Sequence, residues 1–258
     1  MRRAFIHNGV ATGDENMAAD VAMLEAFREA TALRLYRWKP WCVSLGANQS
    51  PDALDLDRLR DDGIDWTRRP TGGRAVFHAE ELTYAVVAPL TPKDSAKALY
   101  RKINEALAVG LTIYDERLGF VAMEDRQPDF RALYRKPLGA ACFAASAKSE
   151  LKWRGKKLVG SAQRKLGEAA LQHGSILCGT AHRRLPDYVK LSEDDRRRMR
   201  ETLDAETVEI ETVVGEATDY ERLASAIREG FERTFGGAFE ETTLETRAPE
   251  ATSERITG

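Results

Sequence analysis

Residues 64–90 read IDWTRRPTGGRAVFHAEELTYAVVAPL. Three strand patterns follow one another here with only short breaks. IDWTRR leads into the turn PTGG, RAVFH and LTYAVVAPL flank the polar AEE, and Pro89 ends the run. Two more strand patterns come earlier: LRLYRW, where Leu33 and Leu35 alternate with Arg34 and Tyr36, and CVSLGA after the Lys39-Pro40 turn. Three come later, SELKW, KKLVGSAQRK and AALQHGSILCG, with turns at Arg154-Gly155 and Gly167. Helical periodicity is scattered among them. DENMAADVAMLEAFREA spaces Met17, Val21, Leu24 and Phe27 along one face, with Asp14 or Asn16 as its cap. DALDLDRLRDDG is a short helix stopped by Gly63, and SAKALYRKINEALAVGLTIY is a long one with Leu99, Ile103 and Leu107 on one side. Helices and strands are thus intermixed without regular β-α alternation. The pattern predicts an α+β chain, a mixed and largely antiparallel sheet flanked by helices, and argues against a doubly wound parallel sheet.

The 258 residues, 43% hydrophobic, are enough for one sizeable core. We expect a single domain over residues 1–240, helical in its C-terminal portion from about residue 183. SEDDRRRMRETLD is one of those helices. TDYERLASAIREGFERTFGG is the other, with Thr218 and Glu221 at capping-box spacing and Gly236 at its end. Residues 241–258 lack apolar periodicity and read as a tail, a candidate for disorder. Residues 115–140, with Pro128 and Pro137, read as a long surface loop. A net charge of −2 carries no electrostatic footprint for nucleic acid or an anionic membrane. No apolar run reaches a membrane span, and the start has no secretory apolar segment, so the expected address is the cytoplasm. Four scattered histidines and three cysteines without a CxxC pair suggest neither a zinc site nor a disulfide framework.

Two places carry possible chemistry. In RRPTGGRAVFH, Gly72 and Gly73 permit positive φ and let a ligand approach exposed N–H groups, which suit an anionic or carbonyl oxygen. Arg69 and Arg74 bracket the turn and His78 ends the next strand. The same residues also fit a tight hairpin with solvated arginines. The second place is Cys142, in a run of small residues. It is either an inert buried thiol or a nucleophile. A free thiol near pKa 8.5 is only a few per cent thiolate at neutral pH, and an ammonium about 4 Å away can lower that pKa by roughly one to three units. Lys157 lies fifteen positions on, across one hairpin, and strand alternation lets only one of Lys156 and Lys157 point inward. Gly160, Ser161 and Gln163, then His173 and Gly174, set small residues beside polar ones and are candidate ligand contacts. Cys42 and Cys178 sit in apolar strand contexts and read as core.

Taken in order, RRPTGGRAVFHAEELTYAVV, CFAASAKSEL, KKLVGSAQRK and LQHGSIL resemble the lipoate/biotin protein ligase superfamily, and within it the octanoyltransferase branch. NMAADVAMLEA and LRLYRWKPWCVSLGANQ fit the same family's opening. The resemblance implies the biotin/lipoate protein ligase catalytic fold. It implies that Cys142 is the acyl-thioester nucleophile and that Lys157 lowers its pKa. It departs from the family's usual pattern at Ser146-Ala147, where Pro-Ser is common, and at Ala85, where serine is common.

The implied activity is octanoyl-[acyl-carrier-protein]:protein N-octanoyltransferase, acting in lipoate biosynthesis. The octanoyl group passes from acyl carrier protein to Cys142, then to a lysine of a lipoyl domain, in the glycine-cleavage H protein or a 2-oxoacid dehydrogenase subunit. Thioester exchange is nearly balanced and amide formation runs downhill, so neither ATP nor a metal is expected. Each buried CH₂ is worth about 0.8 kcal/mol, so octanoyl is expected to bind distinctly better than butanoyl. Arg69, Gly72, Gly73, Arg74, His78, Gly160, Ser161, Gln163, His173 and Gly174 are the expected substrate contacts, with His78 and His173 as polar liners or proton carriers. Three alternatives stand beside this reading: an ATP-dependent lipoate ligase, an amidotransferase that takes octanoyl from the H protein, and an inactive acyl- or lipoyl-domain-binding protein.

Overall fold

The computed structural model describes residues 2–90, 95–123 and 150–244. The first element is strand β1 (Arg3–Ala11), followed by helix α1 (Gly13–Ala26). The helix is capped by Thr12, not by Asp14 or Asn16: its Oγ accepts from the Glu15 N–H while the Glu15 carboxylate accepts from the Thr12 N–H at 2.9 Å. The buried face also differs from the apolar spacing. Asn16, Met17, Asp20 and Met23 point inward, and Val21 is 44% exposed. Polar partners inside the protein rotate the helix onto that face, as described below.

Strand β2 (Thr31–Trp38) was expected to alternate, yet Arg34 and Tyr36 are as buried as Leu33 and Leu35. The reason is position. The main sheet has the order β11-β1-β2-β6-β10-β9-β8-β7, so β2 lies inside it and both its faces are covered. The other strands are β6 (Glu81–Pro89), β7 (Val121–Met123), β8 (Leu151–Trp153), β9 (Lys156–Leu166), β10 (Ala169–Leu177) and β11 (Glu240–Glu241). β1 runs parallel to β2 and β11, and the remaining neighbours are antiparallel. The sheet is therefore mixed and largely antiparallel, as the sequence pattern predicts.

Helix α1 packs on one face of this sheet, with Met17 and Met23 against Ala85, Val87 and Leu171. On the other face lies α3 (Ala96–Tyr114), whose Leu99, Ile103 and Leu107 meet the strands. Beside it is α6 (Tyr220–Phe235), with Leu223, Ile227 and Phe231 in the same core. A smaller sheet, β4 (Asp65–Arg68), β3 (Cys42–Leu45) and β5 (Val76–His78) in that order, forms a second core with Leu185, Met199 and Leu203. The last two leucines and Met199 come from the 3-10 turn Thr180–Asp187 and from α4 (Glu193–Glu206). Helix α2 (Leu56–Asp61) and the short α5 (Ile210–Val214) complete the set.

Three expectations need correction. The cap of α6 is Asp219, which accepts from the Arg222 N–H at 3.0 Å, while the Thr218 N–H bonds Glu211. The stretch after α3 begins as a 3-10 turn, Glu116–Phe120, and as β7, because Arg117 ties Asp115 to the Val214 carbonyl and β7 pairs with β8. Residues 241–244, expected in the tail, continue beside β1, where the Thr242 N–H bonds the Phe5 carbonyl at 2.9 Å. Residues 245–258 and the rest of the expected loop, 124–140, lie outside the described residues. Among the described residues no helix is long and apolar enough to cross a membrane.

Candidate active site

The PTGG turn is held by its roots. Arg69 is 5% exposed, not solvated. Its Nη1 donates to the Ser44 carbonyl at 2.8 Å and to Ser44 Oγ at 2.6 Å, and its Nη2 donates to the Arg74 carbonyl at 2.7 Å. Arg74 is equally buried. The Thr71 carbonyl accepts from the Ala47 N–H at 2.9 Å. Of the two glycines only Gly73 takes positive φ, at 103°, and both sit exposed at the tip. Gly46 passes so close that a Cβ on it would lie 2.1 Å from the Gly73 carbonyl oxygen, so a third glycine is needed here.

Both predicted histidines lie behind this turn, each between a carboxylate and a hydroxyl. His78 Nδ1 is 2.8 Å from Glu81 Oε1 and its Nε2 is 2.5 Å from Ser44 Oγ. The ring stacks on Trp38 at 4.1 Å. Burial pulls the His78 pKa below its ordinary value, and the nearby Arg69 charge adds to this, against the opposing pull of Glu81. For Glu81, burial pushes the carboxyl up, but the bonds from His78, Thr83 and Ser175 outweigh it and hold the group below its ordinary value. His173 Nδ1 is 2.8 Å from Asp20 Oδ2, and its Nε2 is 2.6 Å from Thr71 Oγ1. Asp20 also takes Arg34 Nη1 at 2.8 Å and the Tyr36 hydroxyl at 3.1 Å.

The strand register separates the predicted contacts into two layers. Ala162 opposes His173 and Gly160 opposes Ser175, whereas Ser161 opposes Gly174 and Gln163 opposes Gln172. Opposed residues share a face and neighbours alternate. His173 therefore points toward α1, and Ser161 and Gln163 point toward α3. On the α3 side, Ser161 Oγ lies 2.6 Å from the Tyr84 hydroxyl, whose pKa burial raises to about 12. Gln172 bonds both Tyr84 and Asn104.

Lys157 stands at the start of β9, below a register shift that interrupts the alternation. It is 2% exposed, and its Nζ is 2.7 Å from Glu150 Oε1, a carboxylate equally buried. Lys156 beside it is exposed and bonds the Asp204 carbonyl, as strand alternation requires. The Lys157 backbone is fixed too, its carbonyl accepting from the Val208 N–H at 3.0 Å. Cys142 lies outside the described residues. Cys42 and Cys178 are fully buried, and burial raises the Cys178 thiol to about 12, which removes it as a nucleophile.

A cleft opens on the α1 side. It is lined by Met17, Trp38 and Val76, by Arg69, and by the rings of His78 and His173, and it reaches Gly160, Ser161 and Gly174 in the sheet. The lipoyl protein ligase A/B catalytic domain model matches residues 12–232, which spans this whole arrangement. The chain belongs to that family. Among its relatives, octanoyltransferase LipM of Kyrpidia tusciae is 37% identical, over 94% of this chain and 91% of that one. Octanoyltransferase LipM of Lysinibacillus sphaericus is 34% identical, over 89% and 86%. The fold is shared with lipoate-protein ligase A bound with ATP, at a TM-score of 0.74 and 23% identity, over 95% of this chain and 90% of that one. A bi-partite lipoate protein ligase from Thermoplasma acidophilum gives 0.75 at 22% identity, over 95% and 88%.

Sequence reasoning missed Asp20, Ser44, Gly46, Glu81 and Glu150. Asp20 carries a weak signal, a charge amid small residues of an otherwise apolar helix face. The others have none, since a strand serine or glutamate reads as exposed until its neighbours are known.

Proposed function

We propose that this chain, an acyltransferase by family, moves an octanoyl group from acyl carrier protein to a lysine of a lipoyl domain through a thioester on Cys142. One observation carries the reading. Lys157 is buried at the start of β9, its Nζ paired with Glu150 Oε1 at 2.7 Å. A cation there serves a thiolate, because charge interactions are several-fold stronger away from water. The LipM names of the relatives support the same reading.

The thiolate attacks the thioester carbonyl, the bond to the carrier sulfur breaks, and the carrier leaves as a thiolate that takes its proton from solvent. Octanoyl-Cys142 remains. The lipoyl-domain lysine, once deprotonated, attacks that carbonyl, an amide forms, and the thiolate returns. N–H groups at the exposed Gly72-Gly73 tip hold the oxyanion in both steps. The octanoyl tail lies in the cleft against Met17, Trp38 and Val76. Both steps are acyl exchanges, so the reading needs neither ATP nor metal. The acceptor is the glycine-cleavage H protein or a dehydrogenase subunit, and the enzyme works in the cytoplasm beside its donor.

Intact mass after mixing with octanoyl-carrier protein tests this. We expect one octanoyl adduct, absent in Cys142→Ala, and transfer to a lipoyl domain without ATP. If free lipoate and ATP modify the lipoyl domain and Cys142→Ala stays active, the chain is a ligase and the reading is wrong.

A further inference from the structure

We infer that Glu81 and Asp20 are positioning residues: each orients an imidazole, which orients a hydroxyl, and the two hydroxyl relays together hold the 69–74 loop in one shape. The inference rests on the reading that this loop receives the reacting carbonyl.

The direction of donation carries the argument. A carboxylate only accepts. Glu81 Oε1 takes Thr83 Oγ1 at 2.5 Å, Ser175 Oγ at 2.7 Å and His78 Nδ1 at 2.8 Å. The His78 proton therefore sits on Nδ1, and the bare Nε2 accepts from Ser44. With its proton turned to the ring, Ser44 Oγ offers a lone pair to Arg69 Nη1 at 2.6 Å. The other Arg69 arms bind the Ser44 and Arg74 carbonyls. The second relay repeats the pattern. Asp20 fixes the proton on His173 Nδ1, and Nε2 accepts from the Thr71 hydroxyl in the same loop. The opposite tautomer at either ring would set a bare nitrogen lone pair against a carboxylate.

Both nitrogens of both rings are thus engaged, and all four contacts are buried. The rings are not proton carriers. The anchors fall at positions 69, 71 and 74, leaving the Gly72-Gly73 tip as the part that faces a ligand. Preorganised donors of this kind act on the transition state more than on binding.

A double-mutant cycle on transfer, with ¹⁵N imidazole spectra of the wild-type protein, tests this. Glu81→Gln and Ser44→Ala are each expected to lower kcat roughly tenfold or more with KM within about twofold. The double variant is expected to be no slower than the slower single variant, because both cut one relay. Both rings are expected to show Nδ1–H with Nε2 unprotonated. Losses that multiply, a KM effect with kcat intact, or Nε2–H at either ring would overturn the inference. If Glu81→Gln does not fold, Ser44→Ala and the wild-type spectra still decide it. If the wild type forms no octanoyl adduct, the functional reading fails, and the spectra judge the relay by themselves.

Discussion

Two regions of the molecule, the histidine network behind the 69–74 loop and the start of β9, both bury charged groups, but to different ends. Toward α1, Asp20 and Glu81 Oε1 each accept several hydrogen bonds, and the contacts run on through two imidazoles and two hydroxyls to one loop. At the start of β9, Lys157 meets Glu150 as a direct ion pair. A satisfied hydrogen-bond network in a low dielectric makes a rigid shape. A cation in the same dielectric makes a strong local field. On the proposed reading the first region shapes the loop and the second supplies charge, so damage to the first should show in stability as well as rate, and damage to the second mainly in rate.

The largest effect expected is on the shaping side. Asp20→Asn leaves Arg34 without its buried counter-charge and should cost about 3–5 kcal/mol in denaturant unfolding. A loss below about 1 kcal/mol would mean the network is not what holds α1 in place. Next comes the acting side. Lys157→Met should slow octanoyl transfer about a hundredfold at neutral pH, while Lys156→Met, one residue away on the exposed side, should stay within about twofold. Equal losses in the two would erase the distinction between the regions. The smallest effect is the pH response. His78 is held neutral by burial, with a pKa below the ordinary 6.5, so the unfolded chain takes up a proton first. Its contribution is complete above pH 6.5 and is lost as pH falls below that value, read in thermal or chemical unfolding. His78→Gln should flatten that slope, and an unchanged slope would mean another group causes it.

Much of this was legible in the sequence. The strands around PTGG, the hairpins at Arg154-Gly155 and Gly167, and the long helix α3 came from periodicity and turn residues alone. So did the expectation that only one of Lys156 and Lys157 points inward, while the choice of Lys157 came from the family motif. What misled was burial. β2 reads as a half-exposed strand because Arg34 and Tyr36 are polar, and α1 reads as an apolar stripe through Val21 because Asp20 is charged. Neither residue reveals its partner from its own segment: Asp20 meets Arg34 across the sheet layer and His173 from 153 positions away.

The sequence by itself determined the local elements and the family motifs, because turns, strand alternation and helix faces depend on neighbours within a few residues. Only the tertiary structure decided which polar side chains go inside, because a buried charge is tolerated where a distant partner meets it. It alone also separated the predicted contacts onto two faces of one sheet, since strand register is a relation between segments.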